Sequence, residues 1–477
     1  MFNVLLIDRS NSAVLDLAIH LANHVDHPDV RIVLLSDKEP SGFRGNLEVV
    51  NLHSIPQSLS LATLQSQHDF SFHKALVPER AFFDYSSFRK TQCYSNMSLD
   101  RVYEVVTPYL NALDYLIRER ADLVIEGLAD NFMTSVAGRM AARYRKKFYM
   151  AFMYYWAGNG FYFVDRCDQT SSLIDSRYEY HLEQVAKLDR KALDEMFARK
   201  ALNVNFGNHY TLRARLEQWL KRSRSYEPMS IRHWLLRRLG WMISKTRISL
   251  SIRFETSVGS EKFVLFPLHV TPEATLLGSV PELADQFWLI KNLSMNLPAG
   301  VMLYVKEHPH QQLGLGLDYD FYRRVLSLPN VRLVSGSVPA DTLYRHPGCI
   351  AVAVIAGTVG LEAALSHVPV FVFGRPIYHR GDCFTKLAGF DEFFAAVASI
   401  LRGEYRFNDA ALYAMLQALK DAVVEADVDL SSARSWLELG YLGNANTIKF
   451  IHRQYQEWIA ARTDAGVSTS TRHANAH

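Results

Sequence analysis

Cysteine is scarce in this 477-residue chain: only Cys93, Cys167, Cys349 and Cys383 occur, and no two of them form a CxxC pair. That scatter excludes a zinc ribbon and a disulfide framework, and a reducing cytoplasm fits it. Charge of one sign is lacking as well. The formal net charge is +3, too small for the electrostatic footprint of a nucleic-acid binder. Long apolar runs are missing: the most apolar region, Cys349 to Gly374, is interrupted by Gly357, Gly360, Glu362, His367 and Pro369. It therefore falls short of the roughly 20 predominantly apolar residues of a membrane span. No basic segment precedes the first apolar stretch, Phe2 to Ile7, and no small-residue cleavage site follows it, so a first strand is expected there rather than an export signal.

What is present is an ordinary globular composition, 49% hydrophobic and 21% charged, long enough for on the order of two or three domains. Phe2–Ile7, Ser12–His24 and Val30–Leu35 read as strand, helix and strand, and the alternation continues through Leu99–Arg118, Asp122–Ile125, Phe132–Tyr144 and Phe148–Tyr154. Residues 1–177 are thus expected to form a Rossmann-like domain on a parallel sheet. Residues 178–258 turn helical and then basic. Between Arg213 and Arg253 eleven Lys and Arg face only Glu217 and Glu227, interleaved with Trp219, Trp234 and Trp241. Such a segment can lie on an anionic membrane surface, or it can be a solvated hairpin whose tryptophans pack on the core. At Glu261 the strand–helix rhythm restarts, so 259–430 is expected to be a second Rossmann-like domain. Residues 431–461 are expected to cross back to the first domain, and 462–477 to be a disordered tail.

The second domain offers three loops after strands. Pro267 to Glu273 puts His269 and Glu273 at a strand's end. Lys306-Glu307-His308-Pro309-His310 follows Leu303–Val305, and Pro309 pushes His308 away from helical dihedrals. The third loop, Gly357-Thr358-Val359-Gly360, joins the buried strand Ile350–Ile355 to a helix carrying Glu362. Phosphate is welcome where such a helix begins, and a carboxylate on its first turn can accept from ribose hydroxyls. His308 could protonate a leaving group while Lys306 adds fixed positive charge. A general base would come from the first domain, where Glu126 and Asp130 follow the strand Asp122–Ile125. Both acids can equally be structural, Asp130 as a helix N-cap. Tyr154-Tyr155-Trp156 and Phe161-Tyr162-Phe163 could stack sugar rings or fill the core. Asp318-Tyr319-Asp320 and Asp427-Val428-Asp429 match DxD, but neither ends a strand, so no obligatory metal is expected.

Around Phe266–His269, Tyr304–Pro309, Ala356–Ala363 and Pro369-Val370 the chain resembles bacterial capsule polysaccharide biosynthesis proteins, a family that includes CMP-Kdo transferases. The resemblance covers roughly residues 260–380 and implies a GT-B architecture, two Rossmann-like domains facing a cleft. It also implies that His308 and Pro309 approach the donor's phosphate or base. The Gly turn is similar to that of nucleotide-sugar 2-epimerases, which implies phosphate at Gly357 and Thr358 and ribose at Glu362. CMP-sugar members carry Gln and Asp where this chain has His269 and Glu273, which leaves CMP-sugar and UDP-sugar both open as donor. Leu361 stands where epimerases have a carboxylate, which argues against their chemistry.

The reading is a metal-independent, cytoplasmic glycosyltransferase, peripheral on the inner membrane face, that moves a sugar from a nucleotide donor to a glycan or lipid-linked glycan. The expected donor-site residues are His269, Glu273, Lys306, Glu307, Pro309, Gly357, Thr358, Val359, Gly360 and Glu362, with His308, Glu126 and Asp130 catalytic. The alternatives are a non-catalytic assembly or membrane-docking protein on the same scaffold, and a nucleotide-sugar 2-epimerase.

Overall fold

The computed structural model describes residues 1–7, 12–25, 27–36, 46–69, 99–126, 132–153, 160–198, 231–270, 276, 280, 283, 285–309, 311, 317–387, 389–425 and 445–474. The chain opens with β1 (Phe2–Ile7), α1 (Ser12–His24), β2 (Val30–Ser36) and β3 (Leu47–Asn51). Then come α2 (Leu61–His68), α3 (Leu99–Glu119), β4 (Leu123–Glu126), α4 (Phe132–Arg143), β5 (Lys147–Met153) and β6 (Gly160–Val164). A seventh strand, β13 (Val424–Glu425), completes the sheet, whose order is β13-β6-β5-β4-β1-β2-β3. The apolar character of β1, broken only by Asn3, reflects burial on both faces. Leu5 and Ile7 enter one core and Phe2, Val4 and Leu6 the other, with β2 and β4 parallel on either side.

The expectation of a parallel sheet within residues 1–177 is corrected at this edge: β6 runs antiparallel to β5, and β13 antiparallel to β6. The link from Met153 to Gly160 is too short for a parallel crossover, which takes about a dozen residues or more. Phe161, Tyr162 and Phe163 lie on β6 and are buried, Phe163 stacking on Phe450 with ring centroids 4.0 Å apart. They are core, not an open platform for sugars. Tyr154-Tyr155-Trp156 lies outside the described residues.

The second half begins with α5 (Ser172–Glu183), α6 (Arg190–Ala198) and α7 (Ile231–Ser251). It continues β7 (Lys262–Pro267), α8 (Gln286–Met295), β8 (Val301–Lys306), α9 (Tyr319–Leu326), β9 (Val331–Val334), α10 (Ala340–Tyr344), β10 (Cys349–Val354) and α11 (Val359–Leu365). β11 (Val370–Val372), β12 (Thr385–Lys386), α12 (Phe390–Leu401), α13 (Asp409–Ala422) and α14 (Ala445–Ala474) close the chain. The six strands β7 to β12 form one sheet in the order β12-β11-β10-β7-β8-β9, every pairing parallel. Two largely parallel α/β sheets, the first from the N-terminal half with β13 added and the second from residues 262–386, are the GT-B type of organisation.

The helices of 178–258 do not form one insertion. α5 and α6 pack on α13, tied by His181–Asp421 at 2.7 Å and Tyr413–Asp194 at 3.0 Å. α7 instead lies on α9, where Ser244 Oγ accepts from the Tyr319 N–H. α5 and the turn before it also meet the loop after β11, through Asp168–Arg375 from the turn and through Glu179–Arg380 and the Tyr178 hydroxyl beside Asp382 from the helix. Exposed pairs of this kind contribute about 0 to 1 kcal/mol each, so they orient the seam while buried Tyr178 fills it.

The chain returns to the first sheet at Val424, before residue 431, and α14 then covers that sheet. Ile451 and Tyr455 are buried against Phe2 and Val4, and Trp458 Nε1 donates to Asp122 at 3.0 Å. The tail expected to be disordered from 462 is helical up to Ala474. Once packing has fixed the helix, each further residue adds a hydrogen bond, and no proline intervenes.

Under the first sheet Asp114 on α3 accepts from His68 at 2.7 Å, from the Tyr144 hydroxyl at 2.5 Å and from Arg118 at 3.2 Å. Burial pushes its carboxyl up, but the bonds from His68 and Tyr144 outweigh that and hold it below the usual range. Asp114→Asn is expected to cost about 3 kcal/mol in urea unfolding, because it breaks a buried pair and orphans its donors. The carboxylate's contribution should be complete above about pH 4, the unfolded Asp value, and should be lost as pH falls through the lower folded value.

Candidate functional site

In the second sheet the chain builds outward twice from the centre, first β7 to β8 to β9, then β10 to β11 to β12 on the other side. The loops after β7 and β10 therefore part at the carboxyl edge, and such a reversal point is where open α/β sheets bind ligands. β10, β7 and β8 are neighbours, so the three motif loops emerge side by side.

His269, two residues beyond β7, ties them together. Its N–H donates to Gln286 Oε1 at 2.8 Å, and its carbonyl accepts from Gln286 Nε2 and Gln311 Nε2, each at 3.1 Å. Gln311 belongs to the loop after β8, where its N–H also donates to the His308 carbonyl at 2.9 Å. On the other side the Ala356 N–H, at the Gly turn, donates to His269 Nε2 at 3.3 Å, which puts the ring proton on Nδ1. His269 is thus buried and serves as the peg joining the loops after β7, β8 and β10.

Lys306 and Glu307, expected at the donor, turn toward the loop after β9. Lys306 Nζ donates to the Glu307 carbonyl at 3.1 Å and the Gly336 carbonyl at 3.4 Å. Burial pulls this ammonium down to about 8, against the opposite pull of Glu307. The Glu307 carboxylate accepts from the Tyr322 hydroxyl at 2.8 Å and the Gly336 N–H at 3.4 Å. Both side chains brace the strand end from behind. His308 is half-buried and Pro309 exposed at the mouth of the same loop. Glu273 lies outside the described residues.

At the Gly turn Thr358 is exposed and its hydroxyl donates to Glu362 Oε1 at 3.1 Å. Val359 and Glu362 are half-buried, and Tyr344 is pushed up to about 12, by burial first and then by the Glu362 charge beside it. Buried Tyr378, from the loop after β11, donates to the Gly357 carbonyl at 2.5 Å. The two glycines differ. A Cβ at Gly360 would fall on the Tyr378 hydroxyl and Val354, whereas one at Gly357 would meet only the His269 ring at 3.7 Å, an ordinary contact. Nor does Gly357 have a positive φ. Gly360 is required by packing; Gly357 is not.

The first sheet reverses between β1 and β4. Glu126, the last residue of β4, stands at that point, buried, with Thr134 Oγ1 3.4 Å from its Oε2. Asp130 lies outside the described residues. Asp318, of the first DxD match, caps α9 by accepting from the Phe321 N–H at 2.8 Å, and residues 427–429 are not described. Sequence reasoning missed Gln286, Gln311 and Tyr378. The one signal for Gln286 is its place directly after the Asp285 N-cap.

Gly360→Ala is expected to cost about 1 to 3 kcal/mol by overpacking and Tyr378→Phe about 1 kcal/mol through its lost hydrogen bond. The double variant should cost less than the sum, since Phe removes the atom that the new methyl strikes. Denaturant unfolding of all four proteins closes the cycle.

The chain is loosely similar to several solved structures. The β-Kdo 2,7 transferase of Thermosulfurimonas dismutans KpsC is 10% identical, with 73% of this chain and 98% of that one covered and a TM-score of 0.35. Anabaena Alr3699/HepE in complex with UDP-glucose is 13% identical, covering 88% and 95%, with a TM-score of 0.27. The UDP-GlcNAc 2-epimerase of Methanocaldococcus jannaschii is 10% identical, covering 88% and 98%, with a TM-score of 0.26. No curated protein matches the chain in sequence. The family model described as capsule polysaccharide biosynthesis protein matches residues 172–396, which span α5 to α12 and hold the whole second sheet with its three loops. Over that segment, just under half of its length, the chain is similar to the capsule polysaccharide biosynthesis proteins.

Proposed function

We propose that this protein is a glycosyltransferase that binds a nucleotide-sugar, CMP- or UDP-linked, at the strand-order reversal of the second sheet and transfers the sugar to a surface-polysaccharide acceptor, free or lipid-linked. The observation that carries the reading is the peg: His269 binds the loops after β7, β8 and β10 into one wall around the reversal point. Such a wall is preorganised, so it can stabilise charge on a departing nucleoside phosphate without rearranging during the reaction. Gly357 supports the same reading, since neither backbone geometry nor crowding calls for glycine there and the bare backbone leaves room for a phosphate to approach. Thr358 would add a hydroxyl to that phosphate and Glu362 would take the ribose. His308, half-exposed at the mouth, would protonate or pair with the leaving phosphate. Glu126, at the reversal of the first sheet, would take the proton from the acceptor hydroxyl.

A melting-temperature panel with CMP, UDP, GDP and ADP on the wild type, Gly357→Ala and Glu362→Ala tests the donor site. A nucleotide at about 100 times its Kd adds roughly 2.7 kcal/mol of stability. CMP or UDP should raise the wild-type melting temperature. Gly357→Ala should melt like the wild type without nucleotide, because its methyl fits, yet lose most of the response. An equal response in all three proteins would move the site elsewhere, and no wild-type response would end the donor reading. Glu126→Gln should keep the nucleotide shift while transfer to a glycan acceptor falls about 10²- to 10⁴-fold.

A further inference from the structure

α7 is apolar on two opposite faces, and only one of them is used. Ser244 and Ile248 turn to the second domain, Ser244 accepting from the Tyr319 N–H and Ile248 packing against the core under α8 and α9. At about 100° per residue, Leu239, Ile243 and Leu250 fall within roughly 40° of one another on the other side, with Met242 beside them. These four are 54%, 52%, 80% and 52% exposed for Leu239, Ile243, Leu250 and Met242 respectively. Lys245 and Arg247, both exposed, flank the stripe on its two sides. From Pro228 to Phe254 the sequence contains six Lys and Arg and no Asp or Glu. In the layer formed by α7, α9, α8 and α12, Trp288 and Phe394 are each 48% exposed as well.

We infer that the outward face of α7 docks on an anionic lipid surface. An apolar stripe with basic flanks lies in the headgroup boundary, where the stripe enters the acyl region and the cations meet lipid phosphates. A protein partner for so basic a face would need matching acidic density, whereas an anionic bilayer offers charge and an apolar layer at the same depth. The helix lies on the bilayer rather than through it, as no described helix is long and apolar enough to cross. This surface is separate from the loops at His269 and Gly357, so it stands or falls independently of the donor reading.

The test is co-sedimentation of the full chain with phosphatidylcholine vesicles made with and without phosphatidylglycerol. Wild type should bind the anionic vesicles and lose affinity with added salt. Ile243→Asp with Leu250→Asp should weaken binding about a hundredfold or more, and Lys245→Glu about fivefold or more, on anionic vesicles only. Melting temperatures should stay at the wild-type value, since the three side chains project into solvent. Equal binding to both vesicle types, or binding unmoved by the variants, overturns the inference. So does a monomer–dimer equilibrium shifted by Ile243→Asp, which would make the face a contact between copies. A large fall in melting temperature would show it to be covered by the chain itself and would overturn it too.

Discussion

The reversal of strand order between β10 and β7 is the constraint on which the second half depends. Crossovers between parallel strands are right-handed, so strands added in one direction put their helices on one face, and covering the other face takes a return to the middle and building the other way. The return leaves two loops diverging from adjacent strands with backbone groups that need partners. Here one residue supplies them: the His269 carbonyl carries two glutamine amides and its imidazole takes the Ala356 N–H. The first sheet obeys the same rule between β1 and β4, where Glu126 ends the strand.

Charged residues near the strand ends divide into those that hold and those that face outward. Lys306 and Glu307 saturate each other's neighbourhood and the Gly336 backbone, the arrangement that makes two buried charges tolerable. His308 and Thr358, on the next turns of chain, are left toward solvent. Adjacent residues of one motif therefore do different work: Lys306 ends β8 and Glu307 bonds Tyr322 and Gly336, whereas His308 already lies in the loop beyond.

Much of this was legible in the residues. The apolar hexamers of β1, β7, β8 and β10 are short because strands buried on both faces need no polar alternation, and their order along the chain sufficed to bring three loops to one edge. Local reading failed where a partner lies far away in sequence. β6 carries the same apolar signature as a parallel strand, and only its short link to β5 reveals the opposite direction. Gln286 and Gln311 have no period and no spacing, because an amide that satisfies a distant loop leaves no local trace. Phe161 to Phe163 left sugar stacking and core packing both open, because aromatic content is visible in a sequence whereas the Phe450 ring stacked on Phe163 is not. The peg at His269 was legible as a histidine at a strand end, but its task is holding the loops.

The cover that α14 lays on the first sheet also sets an order of events during synthesis. Phe2 is made more than 450 residues before Tyr455 and Trp458, and its ring rests 5.8 Å from that of Tyr455 and 5.5 Å from that of Trp458. The domain begun first is therefore finished last. While the second sheet is being made, β1 and the outer faces of β6 wait with apolar surface open to water, so of the two sheets the first is the more exposed to aggregation or chaperone capture during synthesis. A gene fragment that stops after the second sheet would leave the first one permanently in that state.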